Sequence, residues 1–277
     1  MRFISYKSQN TEGLAFRDGE SYRGLPVSVL DGDLSAYADR LDDLAAELEG
    51  APELGDFTLL PPISRPGKIL CIGLNYRSHS DEAGFEVPTY PTVFARFANG
   101  LVAHGQPLIR PNASTMFDYE CELAVVIGKA GRHIAEKDAL SHVAGYAPFN
   151  DGSVRDFQLK TPQWTMGKAF DATGGFGPEL VTPDELPPGC SGLRIRTILN
   201  GETLQDANTA DLIFPVSTLV ATLSEAMSLE PGDIIVTGTP EGVGGLRNPQ
   251  VWLKPGDECV VEIEQLGRLV NPVEQEA

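Results

Sequence analysis

The run from Asp118 to Gly128, DYECELAVVIG, decides how this chain is read. Its second half, Leu123 to Ile127, is continuously apolar and β-branched, the composition of a buried strand. Two carboxylates, Glu120 and Glu122, stand two positions apart at its mouth, and period-two alternation directs both to one face. Cys121 and Leu123 then point the opposite way, into packing. Like charges sharing a buried space repel, so the pair implies a cation or a shared proton. The plain alternative is a solvated strand edge.

Working outward, the turn-rich segment FNDGSVRDFQ brings a third carboxylate, Asp151. Three hard oxygen ligands with no His or Cys beside them suit magnesium or manganese, with water and substrate completing the coordination. Arg155, Gln158 and Lys168 follow Asp151, Lys168 within the glycine-containing QWTMGKAFDATGGFGP. They can bind a carboxylate and stabilise an oxyanion or enolate, or else be surface cations paired with Asp156 and Asp171. Upstream, CIGLNYRSHSDEAG places His79 and Glu82 one helical turn apart. A carboxylate beside an imidazole raises its basicity and fixes its tautomer, which makes a general base; an ordinary surface pair is the alternative. Near the C-terminus, TGTPEGVG sets Thr237 and Thr239 in a turn with hydroxyls and amides available to a carboxylate.

The surrounding pattern is rich in strands: residues 68–74, 92–97, 122–128, a hairpin over 193–205 turning at Asn200-Gly201, 233–238 and 258–267. Residues 2–25 read as short strands with a turn at Asp18-Gly19, and an apolar stripe from Leu34 to Leu48 predicts one amphipathic helix. A second helix is expected over 216–229. DFTLLPPISRPG, with its prolines, reads as a linker, dividing residues 1–65 from 66–277. Strands do not alternate regularly with helices, so a β-rich α+β fold is expected rather than a doubly wound parallel sheet.

Composition narrows the function. The 277 residues are 42% hydrophobic and carry a net charge of −18 without a basic run, which excludes nucleic-acid binding as an expectation. No leader-like start and no apolar stretch of membrane-spanning length occur, so a cytoplasmic protein that does not engage membranes is expected. Four scattered cysteines, without a C-x-x-C pair, read as reduced and buried.

Taken in order, GLNYRSHSDEAG, DYECELAVVIG, FNDGSVRDFQ, GKAF and DIIVTGTPEGVG resemble the fumarylacetoacetate hydrolase superfamily over residues 66 to 272. Residues 1–65 look like the small N-terminal domain of many bacterial members, among them acylpyruvate and fumarylpyruvate hydrolases of aromatic-compound catabolism. The resemblance implies an α+β, β-rich fold: a mixed β-roll or barrel-like catalytic core with a small N-terminal α/β domain, assembled as a homodimer. It implies Mg2+ or Mn2+ held by Glu120, Glu122 and Asp151, and a water-activating dyad of His79 and Glu82 on a lid. Lys168 with Arg155 and Gln158 would contact the substrate or transition state, and Thr239 would hold the substrate carboxylate. Many relatives have Lys where this chain has Arg96, which bears on how a distal carboxylate is read. Many have a small apolar residue at Gly152, where glycine is expected only to loosen the turn. The implied reaction is hydrolytic carbon-carbon cleavage of an acylpyruvate, a small 2-oxo acid. Oxaloacetate decarboxylation, isomerisation or hydration on the same site are alternatives, and a noncatalytic cation-binding protein is a distant one.

Overall fold

The strand Cys121–Ile127 is buried at every position and lies in the interior of the larger of two main sheets. The computed structural model describes residues 1–277. The strand pairs antiparallel with Val143–Asp151 on one side and Ile234–Val236 on the other. Alternation divides its side chains between two cores. Cys121, Leu123, Val125 and Ile127 pack with Leu219, Val220 and Leu223 of the Val216–Ala226 helix. Ala124 and Val126 pack with Tyr37, Leu44 and Phe149 on the opposite face. A strand covered on both faces must be apolar throughout, which is why its sequence does not alternate.

From edge to edge, the large sheet runs Ser21–Pro26, Thr11–Asp18, Arg2–Ser8, Leu180–Val181, Val143–Asp151, Cys121–Ile127, Ile234–Val236, Ile69–Gly73 and Thr92–Arg96. The second sheet joins Glu202–Asn208, Arg194–Leu199, Glu258–Ile263, Gly267–Gln275 and Leu108–Arg110. Both are open, so the strand-rich α+β expectation holds without a closed barrel. Asn200 and Gly201 both have positive φ, at 51° and 85°, as a two-residue hairpin turn of the favoured hand requires. All four cysteines are free and buried. No helix is long and apolar enough to cross a membrane.

Two local expectations need correction, and two strands were not expected. The stripe from Leu34 forms two helices, Leu34–Tyr37 and Leu41–Leu48, rather than one. The break falls at Arg40, at φ −148° and ψ 48°, whose guanidinium lies 4.5 Å from the Tyr37 ring centroid and binds Asp31. The buried set Leu34, Tyr37, Leu41, Leu44 and Leu48 survives the break. The stretch read as a linker contains a strand, Thr58–Leu60, which pairs with Arg2–Ser8. Val143–Asp151 and Gly267–Gln275 are strands that local pattern did not reveal.

The first strands are tied into the sheet by Arg2–Ser8 pairing with Leu180–Val181, and by Phe3, Leu14 and Leu44 sharing a core with Phe149, Phe176 and Leu180. Glu179, itself 1% exposed, fastens this junction. It accepts from Arg17 Nε at 2.8 Å and Tyr22 Oη at 2.7 Å, with Arg2 at 3.4 Å. Glu179→Ala leaves these donors without their shared acceptor, so unfolding free energy should fall by about 1–3 kcal/mol, measured by urea titration with an unchanged m value.

Candidate active site

Antiparallel register builds the acidic centre. Cys121 pairs with Asn150, and the Asp151 N–H donates to the Glu120 carbonyl at 3.0 Å, which sets Asp151 beside Glu120 at adjacent strand ends. Ligand atoms of Glu120, Glu122 and Asp151 lie within 4.8 Å of one another, and the three residues are buried. The pairing that sequence suggested between Glu120 and Glu122 is therefore present, and Asp151 completes it.

Cations surround two of the three. Lys168, 1% exposed, places Nζ 2.6 Å from Glu120 Oε2 and 2.6 Å from Asp151 Oδ2. Arg155 bridges Glu120 at 2.6 Å and Asp118 at 2.8 Å, and donates to Gln158 Oε1 at 2.9 Å. Arg96 donates to Asp151 Oδ1 at 2.6 Å, to the Gly152 carbonyl at 2.9 Å and to Thr173 at 3.0 Å. Burial alone would raise the Glu120 carboxyl, but Lys168 and Arg155 outweigh it and hold it well below the usual range. Burial would lower the Lys168 ammonium, yet Asp151 and Glu120 hold it above its ordinary value.

Glu122 is different. It has no cationic partner, and its only donor is the Gly238 N–H at 2.5 Å. Burial, then the charges of Asp151 and Glu120, push its carboxyl well above the ordinary range. Four carboxylates, counting Asp118, thus meet three cations. This excess negative charge on a three-oxygen donor set fits a hard divalent cation.

A cavity of about 340 Å³ opens onto the centre, lined by Glu120, Glu122, Arg155, Gln158, Lys168, His79 and Thr239. His79 comes from the helix Arg77–Ala83, with Nδ1 3.4 Å from Glu82 Oε2. Glu82 also accepts the Gly242 N–H at 3.1 Å on both oxygens, docking the helix on the loop after Ile234–Val236. The chain enters this helix through Leu74, a non-glycine residue at φ 57°. Such strain persists only where neighbours enforce it, and Asn75 does so by bonding both backbone groups of Phe214 and the Thr237 carbonyl. Thr239 accepts from Gln205 Nε2 at 2.9 Å, which leaves its hydroxyl proton free to donate.

Arg96 does not reach the cavity: its guanidinium braces Asp151 from behind instead of reading a distal carboxylate. Gly152 does not loosen its turn, because a Cβ there would lie 2.0 Å from the Thr173 carbonyl; the site is closed to any side chain. Thr237 is fully buried rather than exposed, its hydroxyl unpartnered. Sequence reasoning passed over Asp118, which receives Gly244 and Gly245 N–H at 2.8 and 2.9 Å besides Arg155. Its parity with Glu120 and Glu122 was the available signal. Gln205, which joins Thr239 to the Cys121 N–H and to Thr197, gave none beyond strand patterning.

Residues 68–274 match the family model of the fumarylacetoacetate hydrolase C-terminal domain. The chain belongs to the fumarylacetoacetate hydrolase family. It is similar to the mitochondrial oxaloacetate tautomerase FAHD2A of Homo sapiens, 43% identical over 232 residues that cover 83% of this chain and 73% of that protein. Among solved structures, the fumarylacetoacetate hydrolase of Exiguobacterium antarcticum superposes with a TM-score of 0.88 at 32% identity, covering 100% of both chains. The maleylpyruvate hydrolase of Sphingobium sp. SYK-6, in complex with manganese(II) ion and pyruvate, superposes with a TM-score of 0.82 at 27% identity, again covering 100% of both.

The raised Glu122 carboxyl couples stability to pH. The folded state keeps this proton above the ordinary 4.5, so metal-free protein loses stability as pH rises from that value through the folded pKa. Glu122→Gln should abolish that loss in EDTA. Manganese at a hundred times its dissociation constant should stabilise the native protein by about 2.7 kcal/mol and release a proton on binding. The variant should gain far less at the same concentration, as unfolding and titration calorimetry across pH will show.

Proposed function

We propose that this chain hydrolyses the carbon-carbon bond of an acylpyruvate, a 2,4-dioxo acid, to pyruvate and a carboxylic acid. The observation that carries the reading is His79, oriented by Glu82 and lining the same cavity as the buried carboxylates. A base stands where water must be activated. Glu120, Glu122 and Asp151 would hold Mg2+ or Mn2+, which when bound polarises the 2-oxo group and stabilises the enolate that leaves.

The chain's own groups supply the remaining chemistry. Thr239 donates its hydroxyl to the substrate carboxylate. His79 takes a proton from water, whose oxygen attacks the C4 carbonyl, and Glu82 stabilises the imidazolium formed. Gln158, Lys168 and the Arg155 Nη2, a buried donor without a partner in the protein, answer the charge on the tetrahedral oxygen. The C3–C4 bond breaks with its electron pair passing to the pyruvate enolate, and His79 returns the proton to C3.

Identity of 43% to an oxaloacetate tautomerase favours a second reading, in which His79 moves a proton between C3 and the 2-oxygen, exchanging a C–H for an O–H bond while every carbon-carbon bond stays intact. Acetylpyruvate, fumarylpyruvate, maleylpyruvate and enol-oxaloacetate, each assayed with metal and with EDTA, separate the two. Metal-dependent pyruvate release is expected, with His79→Asn lowering kcat by roughly 10²- to 10⁴-fold. Glu82→Gln should also lower kcat while metal affinity is retained. Loss of the enol-oxaloacetate signal without pyruvate release from any acylpyruvate would establish the second reading instead.

A further inference from the structure

The charged and apolar halves of the cavity are unequally equipped. Its basic side chains are His79, Arg155 and Lys168, and both long cations are already bonded to Glu120. Much of the remaining wall is apolar, with Leu74, Phe85, Phe94, Trp164, Leu246 and Trp252 its largest side chains and Gln250 a further polar one. The Lys168 Nζ lies 5.2 Å from the Phe94 ring centroid but is already bonded to Glu120 and Asp151, so no unpaired cation stands at this wall.

Two of these side chains are placed by specific backbone features. Trp164 lies against Gly73, where a Cβ would come within 2.1 Å of the indole, and meets Phe94 edge-on with centroids 5.6 Å apart. The absence of a side chain at Gly73 is what lets the indole form this wall. Phe85 follows the Arg77–Ala83 helix, its N–H bonded to the Ser80 carbonyl at 2.9 Å. It remains 52% exposed although it lines the cavity. A large ring fixed over an opening, with half its surface still in water, gains when an apolar group fills the space beneath it.

We infer that the acyl group of the substrate is apolar, an alkyl or aryl chain without a terminal carboxylate, received by Trp164, Phe94, Leu74 and Phe85. A second carboxylate at that wall would lose its water with no unpaired cation to replace it. This rests on the acylpyruvate reading, since only a substrate extended beyond C4 occupies the wall.

Binding, measured by calorimetry on the manganese-loaded protein, tests it without turnover. 2-Oxobutanoate, 2-oxopentanoate and 2-oxohexanoate should bind progressively tighter, by up to about fourfold per methylene. The dicarboxylate 2-oxoglutarate should bind at least tenfold more weakly than 2-oxopentanoate. Phe85→Ala, a truncation at a half-exposed position, and Trp164→Ala should each flatten the dependence on chain length. Equal affinities along the series, or tighter binding of 2-oxoglutarate, would overturn the inference and leave the hydrolase reading standing. If no 2-oxo acid binds the metal-loaded protein, both fall together.

Discussion

Everything at this site follows from burying like charges at the ends of adjacent strands. Glu120, Glu122 and Asp151 come together because Cys121 pairs with Asn150 and not with its neighbour. A slip of one residue would turn Glu120 and Glu122 into the core now filled by Cys121 and Leu123. The apolar strands on both sides pin that register, since slipping them would misplace two cores at once. Sheet packing therefore supplies the force that holds mutually repelling groups together, and Lys168, Arg155 and Arg96 reduce the repulsion from three directions.

The same contacts link the centre to its cover. Asp118 holds Arg155 and also the amides of Gly244 and Gly245, while Gly242, in the same loop, holds Glu82. One continuous set of hydrogen bonds thus runs from Glu120, through a guanidinium and a loop, to the helix that carries His79. Displacement of the loop would move His79 and loosen Arg155 together. Gln205 anchors the opposite rim by joining Thr239 to the strand that bears the carboxylates.

Much of this was legible in the chain. Alternation placed Glu120 and Glu122 on one face, helical spacing joined His79 to Glu82, and Asn200-Gly201 announced its turn. What escaped depends on partners distant in sequence. Thr58–Leu60 becomes a strand because an edge of Arg2–Ser8 is open to it, and no property of TLLPP announces that edge. Arg96 stood where many relatives have Lys and so bore on the reading of a distal carboxylate; only the fold reveals that Asp151 is the anion it meets. Arg40 interrupts an otherwise sound apolar stripe, since its ring contact and ion pair lie outside the helical pattern. Gly152 seemed permissive, whereas the Thr173 carbonyl makes it obligatory.

The placement of cations inside a chain of net charge −18 shapes how an anion arrives. Lys168 and Arg96 are sealed beneath the surface and matched by carboxylates, so little positive field from them extends into solvent. An approaching anion meets a repulsive exterior before it meets a favourable interior. Dissolved ions shorten the reach of that repulsion, to about 10 Å at 0.1 M and about 3 Å at 1 M. Capture by this protein is therefore an encounter that salt accelerates, the reverse of the usual behaviour of an anion steered towards an exposed basic cleft.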